Sequence, residues 1–312
     1  MAMFADLRRK WLAGSLERQE KTGRSRLPAR VAGVPRWLLG LAALILFLIF
    51  YWGILGWILE DTSTDLTLRP SVDALPPGGS VTVGSLAALT EAELGRAGWS
   101  PNNSWLRPTA FQTEMPALQR GIYPVLAGVA TVLGSSGDED LMDVADDFSV
   151  GPDRDWLHGD FPFIGGSTEG HMRDAAEALT RYNSRLSEGD AERLTGANNA
   201  RQLVTMIGGR LTNDIRKFDA ALRSDAGIAA VDYQEVRGKA YAAAILLRGV
   251  QSDFEPVLRD RELTSILVEA IETLDRVASE DPMFLTDADR TEQAYLVRSA
   301  VSSLSRIRAG LQ

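Results

Sequence analysis

The chain has 312 residues, with 33 Lys and Arg against 42 Asp and Glu, a net charge of −9 and no cysteine. An acidic surface repels the phosphate backbone, which excludes nucleic-acid binding. The missing thiol excludes cysteine nucleophiles, cysteine-ligated zinc and iron–sulfur clusters, while a chain this long can build its core without disulfides, so compartment is left open.

Residues 1–36 form a basic tail with nine Lys or Arg against three acids. Removing its excess of six positive charges from the chain's −9 leaves −15 on the remainder. Within the tail, Phe4, Leu7, Trp11 and Leu12 are interleaved with Arg8, Arg9 and Lys10. This fits either a short amphipathic helix on an anionic leaflet or an unstructured basic tail.

Residues 37–59 carry no charge and are apolar throughout. A helix of that length reaches roughly 34 Å, enough to cross a hydrocarbon layer of about 30 Å. The run is therefore read as a transmembrane helix, with the basic tail on the cytoplasmic side and Glu60, Asp61 and Asp65 opening the far side. Trp37, Tyr51, Trp52 and Trp57 suit the two membrane interfaces, where an amphipathic ring keeps its polar atom wet. A cleaved signal peptide would have a shorter core and end in small residues, whereas this run ends Trp57-Ile58-Leu59-Glu60-Asp61; an uncleaved signal anchor is expected. Gly53 and Gly56 are three apart, so the helix lacks the small-xxx-small spacing that draws such helices together.

Residues 60–114 read as a loop-rich stalk, because Pro70, Pro76, Pro77, Pro101 and Pro108 with Gly78 and Gly79 break long helices. The capping pattern at Thr90 to Glu93 predicts a short helix as far as Ala97, and Ser80 to Val83 is a weak strand candidate.

From residue 115 onward six stripes recur at helical spacing. They begin at Leu118, Met172, Val204, Val236, Leu263 and Val297 and end at Val132, Leu186, Leu222, Phe254, Val277 and Leu311. Thr168 and Asp232 are expected N-caps, Gly189 and Gly227 breaks, and Pro256 a kink or division. With no alternating strand pattern to receive them, six one-faced helices must pack on one another. The fold class is all-α: a transmembrane helix, a loop-rich stalk and a helical bundle over residues 115–312.

Three stretches carry a resemblance. They are Gly98-Trp99-Ser100-Pro101-Asn102-Asn103 through Arg107-Pro108-Thr109-Ala110 to Met115-Pro116-Ala117-Leu118-Gln119-Arg120-Gly121; Arg181-Tyr182-Asn183-Ser184-Arg185-Leu186; and Val236-Arg237-Gly238-Lys239-Ala240-Tyr241-Ala242 with Leu246-Leu247-Arg248. With the apolar run in front, the chain resembles a bacterial family of membrane-anchored proteins known as domain of unknown function 2333. The resemblance implies a Gram-negative inner-membrane protein with a helical periplasmic domain. It supplies no activity and no catalytic residues. The sequence departs from the family around Gly121 to Pro124, where Pro124 is expected to interrupt an otherwise continuous helix.

Chemistry is sparse. His158, beside Asp153, Asp155 and Asp160, has the composition of an acid–base site, but also of a hydrated acidic loop. Asp153 and Asp155 match the first two positions of a calcium loop, yet Leu157 and His158 stand where an oxygen ligand and the turn glycine belong; no metal site and no cofactor are expected. The glycine-rich entry from Gly165 to Gly170 lacks a cation and matches no nucleotide spacing, while Gly208, Gly209 and Gly238 are expected to let neighbouring helices approach.

The richest cluster is Trp99, Asn102, Asn103, Trp105, Arg107, Met115, Gln119 and Arg120. Rings among amides and guanidinium groups can contact an amino sugar, a peptide or a partner protein; the same rings can instead clamp the stalk to the bundle. The functional expectation is a non-enzymatic binding or scaffolding protein of the cell envelope, with the lipid bilayer and an envelope protein or cell-wall component as partners and a homo-oligomer left open. The alternative is a carboxylate-dependent hydrolase of an envelope polymer built on Asp153, Asp155, Asp160 and His158.

Overall fold

A computed structural model describes residues 35–96, 98–103, 107–154, 166–223, 229–282 and 284–312, and every regular element among them is helical. The expected all-α class holds. The chain divides into two compact units, Met1–Phe50 and Tyr51–Gln312.

The described part of the first unit is residues 35–50, chiefly α1 (Arg36–Leu48), entered from Pro35. Its large apolar side chains face outward, with Leu46 66% and Phe47 57% exposed. The helix continues through a wide π-helical stretch, Ile49–Leu55, and one further α turn, Gly56–Leu59. The run Trp37–Leu59 has a mean hydropathy of 2.6 and is long and apolar enough to cross a membrane.

In the larger unit follow α2 (Val81–Gly95), α3 (Glu114–Gly134), α4 (Glu139–Asp147), α5 (Thr168–Glu188), α6 (Ala197–Arg223), α7 (Ala230–Asp253), α8 (Glu255–Asp260), α9 (Thr264–Ser279) and α10 (Asp287–Gly310). Two 3-10 turns, Pro108–Phe111 and Phe148–Val150, flank α3 and α4. The expected stripes correspond to α3, α5, α6, α7, α9 and α10.

Helix α7 is the centre, packed against α2, α3, α6, α9 and α10. Its segment Ala240 to Leu247 is apolar on every side, and all eight residues are buried. The single stripe expected for it is therefore corrected: a helix enclosed by others needs apolar residues all round. Where α3 crosses α7, two glycines set the distance. A Cβ on Gly121 would lie 1.9 Å from the Glu235 carbonyl oxygen, and one on Gly238 2.0 Å from that of Leu118, so the backbones themselves are in contact. The expectation for Gly238 holds; it fails at Gly209, which has open space, and at Gly208, which makes ordinary contact with Leu304.

Residues 60–114 depart most from expectation. Their middle is α2, with Thr82 to Thr90 buried, packed on α5 and α7 in the core. Ser80 to Val83 is not a strand but the cap and first turn of this helix, since the Ser80 side chain accepts from the Val83 N–H. Alternation could not show this, because α2 is apolar or small on all faces.

Pro124 does not interrupt α3, which runs unbroken from Glu114 to Gly134. An interior proline costs about 3 kcal/mol; here burial of Leu118, Ile122, Val125, Leu126 and Val129 on both sides of it outweighs that loss. Ser167 rather than Thr168 caps α5, and α7 starts at Ala230, which places Asp232 in the first turn and not at the cap. Gly189 closes α5 in the left-handed region at φ 88°, and Pro256 opens α8 after α7 ends. The acids at Asp287 and Asp289 belong to the start of α10, where Thr286 and Asp289 form a capping box. Gly227 lies outside the described residues.

Candidate functional site

The cluster around Trp99 is largely interior. Trp99 is fully buried, with its ring 5.7 Å from that of Tyr123 and its indole N–H donating to the Pro152 carbonyl at 2.7 Å. Met115 and Gln119 are buried as well. The Gln119 side-chain oxygen accepts from the Ser100 N–H at 2.8 Å and its hydroxyl at 2.6 Å, while its amide donates to Glu93 at 3.3 Å and to the Gly98 carbonyl at 3.3 Å. These three residues, offered by the sequence as contacts for a partner or ligand, are corrected to interior positions, since a side chain with no exposed surface cannot touch a ligand; Trp99 and Gln119 hold residues 98–103 on α3.

Asn102 donates to the Arg154 carbonyl at 3.0 Å and Asn103 to the Thr109 hydroxyl at 2.6 Å, so both amides are also used internally. Arg120 pairs with Asp153 at 2.9 Å. Arg107 remains exposed, with Glu169 at 3.9 Å. Trp105 lies outside the described residues.

The clamp adjoins a buried ionic group that the sequence did not signal. Glu93 on α2 is fully enclosed and pairs with Arg96 at 3.1 Å; Arg96 in turn reaches Asp61 at 3.1 Å. Burial pushes the Glu93 carboxyl above its ordinary range, against the opposing pull of Arg96. Burial, reinforced by Glu114, raises the carboxyl of Glu60 at the end of the apolar run, opposed by the backbone N–H groups at the start of α3. The last turn of the run also packs on the turn Pro108–Phe111: Trp52 meets the Phe111 ring at 5.6 Å, and the Gln112 amide donates to the Gly56 carbonyl. Of the other ring positions expected at a membrane interface, Trp37 and Trp57 are 68% and 75% exposed and Tyr51 is half-buried.

Two more networks use residues from the resemblance stretches. The Asn183 side chain is buried and brackets the entry to α2, accepting from the Ser80 N–H at 2.9 Å and donating to the Ala74 carbonyl at 2.6 Å. Beside it the Asp253 carboxylate receives the Ser80 hydroxyl at 2.7 Å and the N–H groups of Val81 and Thr82 at 2.8 Å each. On α7, Lys239 reaches Asp214 of α6 at 2.5 Å in a buried pair, and Arg237 donates to the Ala278 carbonyl at 2.9 Å and pairs with Asp281 at 2.9 Å. Burial dominates at Asp214 and raises its carboxyl despite Lys239.

Of the residues considered for hydrolysis, Asp155, His158 and Asp160 lie outside the described residues, and Asp153 is taken by Arg120. The other histidine is held by an acid: His171 Nδ1 lies 2.8 Å from the Asp147 carboxylate, which orients the ring, and its Nε2 is buried without a hydrogen-bond partner among the described residues. Burial raises the Asp147 carboxyl, opposed by His171. Such a pair can hold a proton, but a proton carrier alone defines no reaction. Among the described residues no group of three or more His, Cys, Asp or Glu is arranged to hold a metal ion.

Open surface is concentrated elsewhere. A groove of about 710 Å³ runs between α3 and α6, floored by Val132 and Met206 and edged by Arg201 and Arg210. A second, of about 310 Å³, continues across Gly208 and Gly209 to α10, with Arg216 and Arg308 at its rim. Sequence reading missed both, because the convergence of these arginines depends on three helices. No protein-family model, curated protein or solved structure matches the chain.

Proposed function

We propose that this chain is a single-pass inner-membrane protein of a Gram-negative bacterium, with a cytoplasmic basic tail and a periplasmic helical domain that acts as a non-enzymatic binding or scaffolding component of the envelope. We infer its membership of the uncharacterised membrane-anchored family from the three stretches quoted above. One observation carries the reading: Trp37–Leu59 presents an apolar surface along its length and ends packed on the helical domain. In water that surface is costly at about 25 cal/mol per Å², and a bilayer removes the cost. The basic tail supports the orientation. The binding role is supported by how the polar groups are used, as Gln119, Asn183, Asp253 and Lys239 brace helices and leave the grooves as free surface.

Two measurements test it. A reporter fused after Gln312 that is active only outside the cytoplasm, together with an intact N-terminus in the membrane fraction, is the expected result; a mature chain beginning beyond Leu59 refutes the anchor. Chemical crosslinking in cells, with the chain recovered through a tag on its N-terminal tail, should capture an envelope component that is lost when residues 60–312 are deleted. Recovery of the same component without that domain refutes the binding role.

A further inference from the structure

Four arginines gather on two adjoining grooves of this acidic chain. Arg201, Arg210, Arg216 and Arg308 line two grooves that share Thr205, Gly209 and Asn213, and none has a carboxylate partner among the described residues. Two lean on neutral amides, Arg201 on Asn198 and Arg216 on Asn213, and the Arg210 Nε is buried with no hydrogen-bond partner among the described residues. Several arginines elsewhere are matched, Arg96, Arg185, Arg237 and Arg248 each meeting acids. Guanidinium groups gathered around an apolar floor without counter-charges are suited to an acidic partner surface that carries an apolar side chain.

The same chain offers that surface. On α4 Glu139 and Asp143 line one hollow against α5, and Asp143 and Asp146 line a second with Asp174 and Glu177 of α5; Arg181 borders both, yet none of these five acids has an ion-pair partner among the described residues. Asp140 and Asp147 beside them are occupied, by Arg181 and Arg185 and by His171. Among these acids Met142 projects, 47% exposed. The two faces adjoin: Thr131, Val132 and Ser135 line the arginine groove, and α4 begins at Glu139.

We propose that the arginine groove between α3 and α6 receives helix α4 of a second copy of this chain. Met142 enters over Val132 and Met206, and Asp143 and Asp146 meet Arg201 and Arg210. Because the complementary faces are neighbours, a twofold axis lets each copy donate its α4 to the other, closing a dimer in place of an open filament. The groove can take such a helix because Gly209 leaves its surface low beside long arginines. This inference goes beyond the envelope role proposed above and does not depend on it.

The test is charge exchange in the full chain, solubilised in an uncharged detergent and followed by sedimentation equilibrium. Wild type should be a dimer that weakens as salt shortens the screening length below about 10 Å. Arg201→Glu with Arg210→Glu, and separately Asp143→Arg with Asp146→Arg, should each weaken association by about tenfold or more. Mixed in equal amounts, the two variants should recover a dimer, which also shows that both are folded. A monomeric wild type, a dimer indifferent to both pairs of reversals, or a mixture that stays monomeric overturns the proposal. So does a monomer that binds vesicles of anionic lipid through Arg201 and Arg210, since the groove would then serve a headgroup.

Discussion

Substituting Gly238→Ala puts a methyl group where there is no room for it. Its Cβ would stand 2.0 Å from the Leu118 carbonyl oxygen, 2.9 Å from the Leu118 carbonyl carbon and 3.2 Å from the Ile122 nitrogen. Carbon and oxygen rest at about 3.3 Å or more, so α3 and α7 must part by about 1 Å at their crossing. Overpacking a core costs about 1–3 kcal/mol, and more when the obstacle is backbone with no rotamer to change. Against this, alanine gains about 1 kcal/mol of helix propensity over glycine. The net expectation is a loss of about 2 kcal/mol or more, which at 2–4 °C per kcal/mol lowers the melting temperature by roughly 4–8 °C. Gly209→Ala is the internal control, because its Cβ meets nothing within 4 Å. With the chain diluted until the proposed dimer has dissociated, only the propensity gain operates there, and the melting temperature should rise by about 2–4 °C. Thermal unfolding of the three proteins, followed by far-ultraviolet circular dichroism, reads both signs at once. A Gly238→Ala chain as stable as wild type, or two shifts in the same direction, refutes the claim that backbone contact sets this crossing.

Three other outcomes follow from the buried polar groups. Burial raises the Glu93 carboxyl above the 4.5 it has when exposed, so the folded state holds that proton more tightly than the unfolded chain; stability relative to Glu93→Gln should therefore fall as pH climbs from about 4.5 through the raised value. Urea midpoints at pH 4 and pH 7 check this, and a pH-independent difference sinks it. Lys239→Met strands the Asp214 carboxylate and should cost about 3–5 kcal/mol, most of it regained when Asp214→Leu is added; a double variant no better than the single contradicts the assignment. Asp253→Ala removes three hydrogen bonds from the start of α2 and should cost up to about 2 kcal/mol, with faster amide exchange at Val81 and Thr82. Unchanged exchange there counts against the cap.

Periodicity made most of the bundle legible, because a helix with one buried face must repeat its apolar residues at three and four. It missed most of α2 and, though it found α7, it gave that helix one buried face, because both are enclosed on several sides and lose the contrast on which the reading depends. The candidate contact cluster failed for a related reason. Composition shows that Trp99 and Gln119 combine area with hydrogen bonding, but whether those groups face a ligand or Pro152 and Ser100 is a matter of which way residues 98–103 turn.

What the sequence determined by itself is the apolar span, its charge asymmetry and the all-helical class, since each follows from local composition or a short repeat. Only the tertiary structure decided that α2 belongs to the core, that Gly121 and Gly238 meet neighbouring backbone, and that four unpaired arginines face one surface beside an acidic helix. These are relations between residues far apart in the chain, and they arise from helix crossing and handed packing, which no local pattern encodes.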